Sequence, residues 1–84
     1  MKKIYVTFRS ITLAQRGERT LRAGGVDCAL IRTPKWMETR GCGYCLRLRP
    51  EAAERALGLL TQARVPFSKV YAQNGDGTLE ELTP

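Results

Sequence analysis

The chain has 84 residues, enough for one domain but too few to enclose a deep active site. Fourteen basic and eight acidic residues give a formal net charge of +6, which favours an acidic partner or a small anion. The chain contains no histidine, so the commonest general base and a common transition-metal ligand are excluded.

The predicted elements begin with a strand over residues 4–8, where apolar side chains recur at every second position. A helix then starts at a cap on Ser10 or Thr12 and continues to about residue 23. Gly17 lies in its apolar stripe and would allow close packing on a sheet. The glycines at 24–25 end the helix, since glycine adopts the left-handed conformation without strain.

A second strand is predicted over residues 26–32 and a third over residues 43–49. The polar loop between them carries Trp36, which either anchors a partner or covers the edge of the core. Pro50 suits the first position of a second helix, because its missing N–H would have no partner there. A fourth strand is predicted over residues 67–72.

The resulting order, β-α-β-β-α-β, predicts an α/β fold of the α+β type. We expect a ferredoxin-like sandwich, an antiparallel sheet with both helices on one face. Residues 1–73 would form this single domain. Residues 74–84 start with a turn signal, and the rest of this segment is interpreted as a short acidic C-terminal tail, an added strand or an added turn.

The densest motif for chemistry is a pair of thiols, Cys42 and Cys45, at the start of the third strand. Cys42 would act as the nucleophile and sulfur acceptor, and Cys45 as the resolving or supporting thiol. In a regular strand, residues three apart point to opposite faces, so the sulfurs meet only if the chain turns sharply before the strand. The residues expected to permit that turn or to stabilise a thiolate are Arg40, Gly41, Gly43 and Arg47.

Interpretations without thiol chemistry also stay open for these cysteines. Cys45 can be a small apolar residue of the strand, Cys42 an inert loop thiol, or the pair half of a zinc or iron–sulfur site completed by a second chain. Within this chain we predict no metal site and no cofactor. Cys28 shares the apolar parity of its strand, which predicts a core position.

The three cysteines also bear on the compartment. An odd count is not typical of a secreted disulfide framework, and the apolar residues after Lys3 are too few for a secretory signal. No apolar stretch approaches the roughly 20 residues of a membrane span. We therefore expect a reducing, cytoplasmic setting.

The sheet face without helices is a second candidate surface. It could mediate a homodimer or hold an anion or RNA, which would make the protein a non-catalytic binding or regulatory domain. Nucleic acid is the weaker option, because basic residues are spread along the chain and the third strand lacks the aromatic pair of RRM domains. Alternation assigns to this face Tyr5, Thr7, Ala29, Ile31, Cys45, Arg47, Arg49 and Tyr71.

Four segments together resemble one known family: Thr7-Phe8-Arg9-Ser10, Arg32-Thr33-Pro34, Gly41-Cys42-Gly43 and Leu46-Arg47-Leu48. The chain is similar over residues 3–73 to the selenium/sulfur carrier-like family of small bacterial proteins. The resemblance implies a carrier or accessory protein rather than a stand-alone enzyme, with Cys42 at the family's cysteine. Its partners would be sulfur or selenium donor and acceptor proteins.

Overall fold

Five strands and two helices make up the computed structural model, which describes residues 2–34 and 43–82. The mixed α+β order predicted for the first six elements is confirmed, and a short strand comes after them. In chain order the elements are β1 (Lys3–Thr7), α1 (Ile11–Ala23), β2 (Cys28–Arg32), β3 (Tyr44–Leu48), a 3₁₀ turn (Pro50–Ala52), α2 (Ala53–Gln62), β4 (Val70–Gln73) and β5 (Leu79–Glu81).

The strands form one sheet in the order β2-β3-β1-β4-β5, and every neighbouring pair is antiparallel. β1 lies between β3 and β4, while β3 lies between β1 and β2. Each helix therefore joins two strands that have one other strand between them. This interleaving brings residues from both halves of the chain side by side across the sheet.

The main core lies between the sheet and the two helices. Alternate strand residues, such as Val6 on β1 and Leu46 on β3, pack there with Leu21 of α1 and Leu60 of α2. Because both helices contribute to this one cluster, they cover the same face of the sheet. Gly17 permits the close approach of α1, since a Cβ placed there would lie 2.9 Å from Phe8 Cζ.

The ends of α1 result from local hydrogen bonding. Of the two candidate caps, Ser10 is the one used: its Oγ accepts the N–H of Leu13 at 3.2 Å. At the other end, Gly25 has a φ of +81°. This conformation lets the N–H of Val26 reach the carbonyl of Leu21 at 2.8 Å, which closes the helix.

Three elements begin more than one residue later than predicted. β2 begins at Cys28 rather than residue 26, because the N–H of Val26 donates to the carbonyl of Leu21 and closes α1. Pro50 begins a 3₁₀ turn that leads into α2 rather than the α-helix itself. β4 begins at Val70 instead of residue 67, because the N–H of Lys69 donates to the Thr7 hydroxyl at 3.0 Å and so leaves the regular ladder. β5 pairs with the outer side of β4, with Leu79 opposite Gln73.

Candidate functional site

The face of the sheet without helices carries a second, smaller apolar cluster. Tyr5 and Cys45 are its buried members, and Ile31 and Tyr71 pack against them. Cys45 lies on β3 between Thr7 of β1 and Ile31 of β2. Its assignment to this face by alternation is therefore correct.

Cys45 has a relative exposure of 0%, so its thiol is completely buried. A buried sulfur cannot reach an atom on another protein unless the strand opens locally. The arrangement therefore fits a packed thiol on β3 better than one that meets a partner directly.

The predicted nucleophile, Cys42, lies outside the described residues, as do its neighbours Arg40 and Gly41, and Trp36 of the same loop. The meeting of the Cys42 and Cys45 sulfurs therefore stays a prediction. The structure does describe the residue directly after Cys42. Gly43 is exposed and has a φ of +84°, a left-handed conformation that glycine adopts without strain.

The ends of the β2–β3 connection are held together at the sheet. The N–H of Thr33 donates to the carbonyl of Gly43 at 2.8 Å, and Arg32 pairs with Tyr44 one step further into the hairpin. The Arg32 guanidinium also lies over the Tyr44 ring, 5.8 Å from its centre. Gly43, the residue that follows Cys42 in the sequence, is thus fixed at one end of β3.

Arg47 is exposed and lies on the same face as Cys45, two residues further along β3. Its neighbours across the sheet are Tyr5 and Ala29. The structure thus brings Arg47 and Cys45 to one face, at a spacing of about 7 Å along the strand.

Cys28 occupies the core position expected from its parity. It is 8% exposed and belongs to the cluster between the helices and the sheet. Burial raises the pKa of the Cys28 thiol, and the positive charge of Arg22 offsets part of that rise. A buried thiol that favours its neutral form is a poor nucleophile.

A cavity of about 490 Å³ opens where β2 begins and β3 ends. We call it the basic groove, because five of its residues are basic and only one is acidic. Alternation in the sequence assigns Arg47 and Arg49 to the helix-free face, and it also assigns Lys3 there, because Lys3 has the same parity as Tyr5. The position of Arg22 in the groove could not be predicted in this way, since it depends on how α1 packs on the sheet. The groove is lined by Lys2, Lys3, Arg22, Asp27, Cys28, Ala29, Arg47, Leu48 and Arg49.

Two further features, a metal-binding cluster and a membrane-spanning helix, are absent from residues 2–34 and 43–82. This part of the chain holds no cluster of three or more His, Cys, Asp or Glu side chains arranged for a metal ion. It also holds no helix with the length and apolar character needed to cross a membrane.

Comparison with known proteins identifies one family. No curated protein matches the chain. A profile for the family described as "Putative Se/S carrier protein-like" matches residues 3–72, which is most of the chain and includes both Cys42 and Cys45. The chain therefore belongs to the Putative Se/S carrier protein-like family.

Proposed function

We propose that this protein carries sulfur or selenium, with Cys42 as the atom-accepting thiol. One observation supports Cys42 over the other cysteines. Cys28 and Cys45 are both buried, yet a carrier thiol must meet one protein to load and another to unload. Cys42 directly precedes Gly43, which is exposed, whereas the other two thiols sit within packed clusters.

The proposed transfer needs no external oxidant. The Cys42 thiolate attacks the outer sulfur of a donor persulfide, the donor S–S bond breaks, and the donor cysteine leaves as a thiolate. Cys42 then holds the persulfide. In the second step an acceptor thiolate attacks that outer sulfur and Cys42 leaves as a thiolate. A donor carrying selenium in place of the outer sulfur would react in the same way.

The supporting residues have separate proposed roles. Arg40 and Arg47 would supply positive charge that favours the Cys42 thiolate. Gly41 and Gly43 would give the backbone freedom to present it. Cys45 would act afterwards, when β3 opens locally: its thiolate attacks the inner sulfur of the Cys42 persulfide, a Cys42–Cys45 disulfide forms, and the outer sulfur leaves as hydrosulfide. The burial of Cys45 would make this release slower than loading.

The proposal also includes the fold unit, the cellular location and the partners of the carrier. The order of the first four strands, β2-β3-β1-β4, supports a ferredoxin-like unit formed by residues 1–73. We propose a cytoplasmic location, where thiols stay reduced, and donor and acceptor proteins as partners.

The test is intact mass after incubation with a cysteine desulfurase and free cysteine. We expect a gain of one sulfur atom that is lost on reduction. Cys42→Ser should abolish the gain, while Cys28→Ser serves as the control that removes a thiol without removing the acceptor. Cys45→Ser should load normally and release the sulfur at a changed rate. Equal loading of Cys42→Ser and the unmodified protein would reject the proposal.

A further inference from the structure

We propose that the basic groove binds a small anion with several phosphate groups, of about the size of a nucleoside diphosphate or triphosphate. The groove lies at the end of β3 away from Gly43. Arg49 lies six positions after Gly43, which corresponds to about 20 Å along a strand. The groove therefore extends to the end of β3 away from the proposed carrier thiol, and Arg47 is the one residue that both proposals use.

The register of the sheet places the positive charges side by side. Arg47 of β3 lies opposite Ala29 of β2 on one side and Tyr5 of β1 on the other. One step beyond the Ile4–Leu48 pair, the same alternation sets Lys3 beside Arg49 on the helix-free face. Two adjacent strands thus contribute three cationic side chains to one corner of the sheet.

Most of this charge forms no ion pair with another described residue. In the described ranges, no ion pair within 4 Å is made by Lys2, Lys3, Arg47 or Arg49. Arg22 does pair with Glu18, at 3.5 Å, and donates a hydrogen bond to the Cys28 carbonyl at 2.8 Å. Like charges held this close repel one another, and a multivalent anion would relieve that repulsion.

The shape of the groove favours a small molecule. Its volume of about 490 Å³ lies within the range of roughly 300–1,000 Å³ found for small-molecule pockets. Ala29, Cys28 and Leu48 add apolar surface beside the cations, which suits a ligand with an uncharged part next to its phosphates.

The distribution of charge disfavours a long polyanion lying across the sheet. On the far edge of the same face, Glu81 of β5 lies opposite Tyr71 and pairs with Lys69 at 3.2 Å. The Lys69 charge is thus paired, whereas Lys3, Arg47 and Arg49, which are assigned to the same face, form no ion pair with a described residue. A nucleic-acid backbone crossing the sheet would gain little beyond that corner.

The test is a titration of the isotope-labelled protein with inorganic triphosphate and with ADP, monitored by amide chemical shifts at about 0.15 M salt. We expect saturable shifts centred on Lys3, Ala29 and Arg49. The double variant Lys3→Gln/Arg49→Gln should weaken binding roughly tenfold or more, because it removes two charge-assisted contacts.

The matched control is Arg16→Gln/Arg19→Gln, which removes two exposed positive charges from α1. This control should bind within about twofold of the unmodified protein, allowing for the long-range effect of net charge. Equal weakening of both double variants, shifts that do not saturate at millimolar ligand, or tighter binding of a single-stranded oligonucleotide would each overturn the proposal. Sulfur loading is not part of the readout, so failure here leaves the carrier function untouched.

Discussion

Gly17 and Gly58 both lie inside helices, and replacing each with alanine separates helix propensity from packing. Gly17 faces the core from α1, where an added Cβ would lie 2.9 Å from Phe8 Cζ and 3.3 Å from Leu46 Cδ1. Gly58 is exposed on α2, and a Cβ there would meet nothing within 4 Å. The two substitutions are chemically identical and differ only in their surroundings.

The expected magnitudes come from these contacts. Alanine favours a helix interior over glycine by about 1 kcal/mol, so Gly58→Ala should raise the free energy of unfolding by about that amount. At Gly17 the same gain is opposed by overpacking against the buried Phe8 ring, which costs about 1–3 kcal/mol. Gly17→Ala should therefore be less stable than Gly58→Ala by about 1–3 kcal/mol.

The assay is thermal and urea unfolding of both variants beside the unmodified protein. For a chain of this size, each 1 kcal/mol corresponds to about 4–8 °C in Tm. Equal stabilisation by the two substitutions would refute the packing of α1 on Phe8. Destabilisation by Gly58→Ala would refute the exposed position of that glycine on α2.

Three further outcomes are expected. In the native protein, iodoacetamide should modify Cys42 at least about a hundredfold faster than Cys28 or Cys45, because a buried thiol reacts only when the structure around it opens locally. Comparable rates at all three thiols would contradict the burial of Cys28 and Cys45. Arg64 has a φ of +57° just after α2, a conformation that glycine adopts with less strain, so Arg64→Gly should raise the free energy of unfolding by about 0.5–1 kcal/mol. A lower free energy of unfolding in urea for this variant would contradict the left-handed backbone. Because the pKa of Cys28 is raised in the folded state, stability should fall as pH rises above about 8.5, and Cys28→Ala should flatten that fall in pH-dependent unfolding.

The local elements are predictable because their signals are local. Period-2 alternation locates β1 and β3 within one or two residues, and the glycines at 24–25 end α1 where the structure ends it. The predicted β4 is too long, since the departure from its ladder depends on the Thr7 hydroxyl, which is 62 residues from Lys69. A contact of that separation leaves no pattern in a short stretch of sequence.

The candidate site is predictable only in part. Alternation places Cys45 on the helix-free face, yet its complete burial occurs in a cluster with Tyr5 and Ile31, which lie on the strands that the fold places on either side of β3. The basic groove depends on that order as well, because Lys3 and Arg49 line the same groove only when β1 lies beside β3. Parity gives the face of a residue, whereas its neighbours across the sheet come from the fold.

The measurement that tests the carrier function most directly is the position of the transferred sulfur. After incubation with a cysteine desulfurase and cysteine, persulfides are trapped by alkylation and the chain is cleaved after its basic residues. Tandem mass spectrometry of the peptide between Arg40 and Arg47 then distinguishes its two cysteines. The account predicts the added sulfur on Cys42. Its appearance on Cys45 or on Cys28, or its absence from all three thiols, would contradict the account.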